Sequence, residues 1–214
     1  MKIELENVLP MDIEKRSFEI ITEELGDRKL PPEQENIIKR VIHTTADFDY
    51  ADNLVFSDGA VEAAKKAIKN GACIVTDTKM AMSGINKKVL EKFGGKVYNF
   101  MSDEDVALLA KQNGTTRATA CMDKAATLDV PLIFAMGNAP TALVRLYELI
   151  NEQKISPKLI IGVPVGFVNV VQSKELIMET EVPYIVARGR KGGSNVAAAI
   201  CNAILYELDH SRGM

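Results

Sequence analysis

Two groups of residues in this 214-residue chain have the types and spacing that proton and anion chemistry needs. Arg40 and His43 stand three apart in the run Ile37-Ile38-Lys39-Arg40-Val41-Ile42-His43-Thr44-Thr45-Ala46-Asp47. At about 100° per residue, Ile37, Ile38, Val41 and Ile42 share one arc of a helix, with Arg40 and His43 as neighbours on the other side. A cation and a titratable ring are therefore expected to face outward together. Imidazole gives and takes protons near neutrality, and a guanidinium beside it recruits an anion. A solvated helix face with an ordinary histidine would show the same spacing, so this segment alone leaves both readings open. The second group is Arg188-Gly189-Arg190-Lys191-Gly192-Gly193-Ser194, in which three cations and three glycines lead into a helix start. Backbone N–H groups and the helix dipole at such a start favour a carboxylate or phosphate. The alternative is a tight strand-to-helix turn whose glycines serve only backbone geometry.

Elements that would hold these groups follow from the hydrophobic pattern. Short apolar, β-branched runs at 72–76, 96–100, 131–136, 158–163 and 183–187 read as strands, with helices between them. Leu132-Ile133-Phe134-Ala135-Met136 and Lys158-Leu159-Ile160-Ile161-Gly162-Val163 are near-continuous, which suits parallel strands covered on both faces. The expected class is α/β: a three-layer, doubly wound, mainly parallel five-stranded sheet of flavodoxin-like type with extra N-terminal helices. One domain over 1–214 is expected, with 1–56 as a helical segment packed on it. That segment holds a helix near 11–25 and the His43 helix after Pro31-Pro32. Ser57 is expected to begin an Ala/Lys-rich helix ending at Gly71, and Ser102 to cap the acidic turn Asp103-Glu104-Asp105. Asn138 is expected to cap a helix whose first turn holds Pro140. In open α/β sheets ligands bind at the carboxyl ends of the strands, so the loops at 76–80, 137–141, 162–167 and 188–194 are where a site should form.

Composition narrows the chemistry. With 26 basic and 29 acidic residues the net charge is −3, so no global basic field exists for nucleic acid or an anionic membrane. Cys73, Cys121 and Cys201 are widely spaced with no CxxC, which fits packed free thiols in a reducing compartment. The start Met1-Lys2-Ile3-Glu4-Leu5-Glu6-Asn7 has no apolar signal core, and no run approaches the ~20 apolar residues that span a bilayer. A cytoplasmic protein is expected. GxGxxG after the first strand and GxxxxGK[ST] are both absent, which disfavours a nucleotide cofactor. His43 and His210 are far apart and no HExxH or Cys/His cluster exists, so no metal site is expected. His210, in the tail Asp209-His210-Ser211-Arg212-Gly213, reads as solvated, and Ser83 lacks a GxSxG elbow. One proton carrier, several arginines in glycine-rich or polar surroundings and no evident cofactor suggest acid–base chemistry on a polyanion.

Several motifs together resemble the precorrin-8X methylmutase (precorrin isomerase) family, including its cobalt-precorrin-8 form. They are Arg16-Ser17-Phe18 with Ile20-Ile21, Arg40-x-x-His43, Asn113-Gly114-Thr115-Thr116-Arg117, Gly137-Asn138-Ala139-Pro140-Thr141-Ala142-Leu143, Pro164-Val165-Gly166-Phe167-Val168 and Gly189-Arg190-Lys191-Gly192-Gly193-Ser194. The resemblance spans nearly the whole chain. It implies migration of a methyl group from C-11 to C-12 of a precorrin-8 in cobalamin biosynthesis, giving hydrogenobyrinate or cobyrinate, with no exogenous cofactor. It also implies that His43 is the general acid/base, that Ser17 and Arg40 hold substrate beside it, and that Arg117 pairs with a peripheral carboxylate. Asn138, Arg190, Gly192 and Gly193 join the candidate contacts, with Arg16, Arg188 and Lys191 as further cations for the acetate and propionate arms. A loop at Met82, Ser83 and Gly84 is a candidate cover for the macrocycle, because methionine adapts to irregular flat surfaces; core filling is the alternative. A domain of this size buries only part of a large macrocycle, so a homodimer with its site near the interface is expected. A noncatalytic corrinoid carrier and a flavodoxin-like nucleotide or phosphate binder are the competing readings.

Overall fold

A computed structural model describes residues 5–210. The elements run α1 (Ile13–Leu25), α2 (Pro32–Thr45), α3 (Tyr50–Asn53), β1 (Leu54–Phe56), α4 (Ala60–Lys69), β2 (Cys73–Thr76), α5 (Lys79–Gly84), α6 (Lys87–Lys92), β3 (Val97–Tyr98), α7 (Glu104–Asn113), α8 (Arg117–Ala125), β4 (Leu132–Met136), α9 (Pro140–Asn151), β5 (Leu159–Gly162), α10 (Val170–Met178), β6 (Tyr184–Ala187) and α11 (Ser194–Asp209). The strands form one sheet in the order β1-β6-β5-β4-β2-β3. From β2 to β6 every pairing is parallel, and their order is the flavodoxin-like one.

Side chains of β4 show why the strand runs are continuous. Leu132, Phe134 and Met136 enter the cluster under α7 to α10, while Ile133 and Ala135 enter the one under α2, α4 and α11. Both faces are dry, so neither needs polar residues.

Among the described residues the sheet has six strands rather than five. Leu54–Phe56 pairs antiparallel with β6, Leu54 opposite Ala187 and Phe56 opposite Ile185, so the stretch 1–56 is not wholly helical. Three residues are too few to show an alternating pattern, and an edge strand is defined by its partner. Ser57 prolongs that pairing instead of starting a helix. Its amide donates to the Tyr184 carbonyl (3.0 Å), and its hydroxyl accepts from the Tyr184 amide (2.9 Å). The helix that follows starts at Ala60, after Gly59 at φ +67. Likewise Asp103, not Ser102, stands at the start of α7, and its side chain makes no capping bond.

α2 lies antiparallel against α11, pinned at its start by Asn36 donating to Glu207 (2.9 Å). Its far end therefore reaches the carboxyl edge of the sheet, where Lys191 bonds Asp47 and Asp49 (2.6 Å each). Cys73, Cys121 and Cys201 are free and buried, and burial pushes the Cys121 thiol up to about 11 and the Cys201 thiol up to about 12. They serve packing, not nucleophilic chemistry. Among the described residues no helix is long and apolar enough to cross a membrane.

Candidate active site

His43 is exposed on the last turn of α2, as its helical phase requires. Its ring meets that of Phe18 on α1, centroids 5.6 Å apart and tilted by 36°. Arg40 shares that side of α2 but is not solvated: it is only 6% exposed. α1 docks over it. The guanidinium lies between the rings of Phe18 (5.3 Å) and Tyr206 (4.9 Å) and bonds Glu14 at 2.5 Å. The expected free cation beside His43 is thus spent holding α1 to α2 and α11, and its Nε has no hydrogen-bond partner among the described residues. Ser17, half-buried on α1 next to Phe18, donates to the Ile13 carbonyl (2.8 Å), so a ligand would compete with the helix for this hydroxyl. Arg16 is held by Glu6 at 2.7 Å, which keeps its guanidinium pKa raised.

Tyr206 also touches Asn86, just after α5, so one face of α11 runs between α2 and α5. Asn195, Ala199, Asn202 and Tyr206 follow one another along that face at helical spacing. The segment of Met82, Ser83 and Gly84 is the short helix α5 and not a loop. Thr78 caps it, accepting from the Ala81 amide (3.0 Å). A Cβ on Gly84 would stand 2.8 Å from Ala198 Cβ, so this glycine lets α5 sit down on α11. Met80 is exposed and Met82 half-buried, and two residues apart on a helix they point to different sides of α5.

At the carboxyl edge, the switch point of the strand order falls between β2 and β4. Asp77 fills it. This carboxylate, 2% exposed, accepts from the amides of Gly137 (2.9 Å), Asn138 (2.7 Å) and Ala139 (2.6 Å). Burial pushes its pKa up, and the three amide bonds pull against that push. Asn138 is therefore not the cap of α9: Ala139 stands at that position, and the Asn138 side chain, relieved of capping, is exposed. Arg117 opens α8, exposed and with no ion pair among the described residues. Thr116 and Thr141 join hydroxyls at 2.9 Å, so Arg117 stands beside the start of α9. That is the other face of the sheet from His43.

The glycine-rich turn after β6 is bonded to the loop after β5: the Gly193 amide donates to Val163 (2.8 Å) and the Gly166 amide to Arg190 (3.2 Å). Of its three cations only Arg190 is without an ion pair among the described residues, and it stacks over the exposed Phe167 at 5.4 Å. Lys191 is neutralised by Asp47 and Asp49, which raise its pKa, and Arg188 pairs with Glu175 at 3.4 Å. A Cβ at Gly192 would lie 2.1 Å from the Val163 carbonyl oxygen and 2.9 Å from that of Pro164. Gly192→Ala must therefore push the two loops apart. We expect it to lower stability by about 2 kcal/mol, roughly 4–8 °C in melting temperature, with weaker substrate binding. Differential scanning calorimetry and KM check both.

The structure thus brings His43 and Phe18 together on the outer side of α2 and α1, and places Asn138, Arg117, Arg190, Gly192 and Gly193 at the strand ends. Asp77 and Phe167 escaped assignment from sequence, although both lie in segments that follow strands. Phe18 was visible only as part of a motif.

A family model described as precorrin-8X methylmutase matches residues 12–207. The chain is 47% identical over 202 residues to a cobalt-precorrin-8 methylmutase of Priestia megaterium, covering 94% of this chain and 90% of that protein. It is likewise 47% identical over 205 residues to the cobalt-precorrin-8 methylmutase of Salmonella typhimurium, covering 93% and 96%. A crystal structure of precorrin-8x methyl mutase from Thermus thermophilus superposes with a TM-score of 0.84 at 39% identity, covering 94% of this chain and 99% of that one.

Proposed function

The chain belongs to the precorrin-8X methylmutase family, and from this we infer a methyl-shifting isomerase with His43 as its proton carrier. The reaction moves a methyl group from C-11 to C-12 of the corrinoid ring in cobalamin biosynthesis. His43 gives a proton to the macrocycle, which makes the ring electron-poor enough for the sigmatropic shift, and takes the proton back afterwards. Atoms and charge balance without a second substrate, and no cofactor is invoked.

The observation that carries the role of His43 is its placement: an exposed imidazole in the last turn of α2, backed by Phe18, on a helix that packs along α11. A flat ring laid along α11 would meet Ala199 and Asn202 below, α5 on one side and His43 on the other. Its carboxylate arms would reach Arg190 and the amides of the glycine-rich turn, with Arg117 and Asn138 at the next strand ends. Ser17 would turn its hydroxyl from Ile13 to the substrate. Arg40 acts from beneath, by fixing α1 and with it Phe18.

Cobalt-precorrin-8 is the preferred substrate in this reading, because both relatives at 47% identity carry that name. The proposal further places the enzyme in the cytoplasm, as one α/β domain that works as a homodimer with its site near the interface. The free buried thiols and the exposed Leu9, Met11 and Ile13 on and before α1 support these two points. The test mixes purified protein with cobalt-precorrin-8 and, separately, with metal-free precorrin-8. A change in visible spectrum to that of cobyrinate is expected. Binding without a spectral change overturns the isomerase reading, and turnover of the metal-free compound alone overturns the choice of substrate.

A further inference from the structure

Lys174, on α10, is fully buried, and nothing in the sequence Val170–Met178 marks it. A buried cation needs a negative partner. No carboxylate supplies one: Asp47 and Asp49 are taken by Lys191, Glu175 by Arg188, and Lys174 makes no ion pair among the described residues. Its ammonium donates instead to the carbonyls of Gly189 and Lys191, 2.8 Å each. The carbonyl between them, that of Arg190, accepts from the Gly166 amide. Three successive carbonyls are thereby turned into the protein. The amides of Arg190, Lys191 and Gly192 donate to no protein acceptor among the described residues. Burial pushes the Lys174 pKa down to about 8, so a neutral side chain of the same length would sit there more cheaply.

We propose that Lys174 is a positioning residue for substrate binding: it draws in the carbonyl oxygens of the 189–191 turn, so that the turn meets the substrate's carboxylates with amide N–H groups and Arg190. Carbonyl dipoles pointing outward would repel those carboxylates, and the unneutralised ammonium adds to the attractive field. The inference rests on the methylmutase reading, since it takes a polycarboxylate corrinoid as the ligand.

Lys174→Met removes the donors and the charge at nearly constant length. It is expected to fold with an equal or higher melting temperature, to raise KM for cobalt-precorrin-8 about tenfold or more, and to leave kcat within about threefold. Lys174→Gln restores N–H donors without charge and is expected to fall between wild type and Lys174→Met. A lysine needed only for folding would give the reverse, a lower melting temperature with KM unchanged, and that result overturns the proposal. Should neither variant fold, the wild type decides. Added cobyrinate is expected to raise the titration midpoint of the Lys174 ammonium by nitrogen-15 NMR, and an unmoved midpoint overturns it. Absorbance titration with cobyrinate repeats the comparison without turnover. A wild type that binds product but converts nothing overturns the methylmutase reading and leaves the Lys174 test standing, whereas one that does neither overturns both.

Discussion

His43→Ala is expected to fold and melt like the wild type while losing conversion by about 10²- to 10⁴-fold, the usual contribution of a positioned general acid or base. The stability part follows from exposure. The imidazole is exposed, rests against the Phe18 ring and accepts or donates no hydrogen bond among the described residues, so its loss falls within about 0.5 kcal/mol. The activity part follows from scarcity. His43 and His210 are the two histidines of the chain, and His210 ends α11 at the amino edge of the sheet, away from the strand-end loops. Proton transfer acts in the transition state, so kcat should carry the fall, with KM little changed. Circular dichroism and the visible-spectrum assay on the same sample check both halves. Wild-type turnover by this variant would remove His43 from the chemistry.

Asp77→Ala is expected to cost about 2–4 kcal/mol, because three amides lose a charged acceptor at once. Gly137 is buried, so its N–H is left without water, whereas Asn138 and Ala139 can recruit solvent. For a domain of this size that corresponds to a melting temperature lower by roughly 4–16 °C. The start of α9 also loses its anion, and with it the placement of the exposed Asn138 side chain; KM should therefore rise along with the loss of stability. Thermal unfolding together with KM on the folded fraction separates the two effects. An unchanged melting temperature would show that these three bonds contribute nothing net. Asp77→Asn should recover little, since one amide oxygen faces three donors and its NH₂ group adds two more.

How much of this was legible depends on the range of the information. Apolar runs at 72–76, 131–136, 158–163 and 183–187 mark buried parallel strands because both faces of such strands are dry, a property that each strand carries alone. The phase of α2 likewise puts His43 outside whatever packs beneath, and the motifs that carry the resemblance to the methylmutases are local strings. β1 was invisible because three residues show no period, and only pairing with β6 makes them a strand. Asn138 has the type and place of a helix cap, yet Asp77, far away in sequence, arrives with a full charge and takes the amides first.

Sequence by itself thus determined the α/β class, the parallel core, the exposure of His43 and the family. Tertiary structure alone decided which charges are free: Arg40 is buried because α1 lies over it, Lys191 is neutralised by the end of α2, and Lys174 is sealed beneath the turn it shapes. The reason is physical. Periodicity says which side of an element faces inward, whereas the availability of a charge depends on what other elements bring to it, and helices carry their own partners from distant parts of the chain.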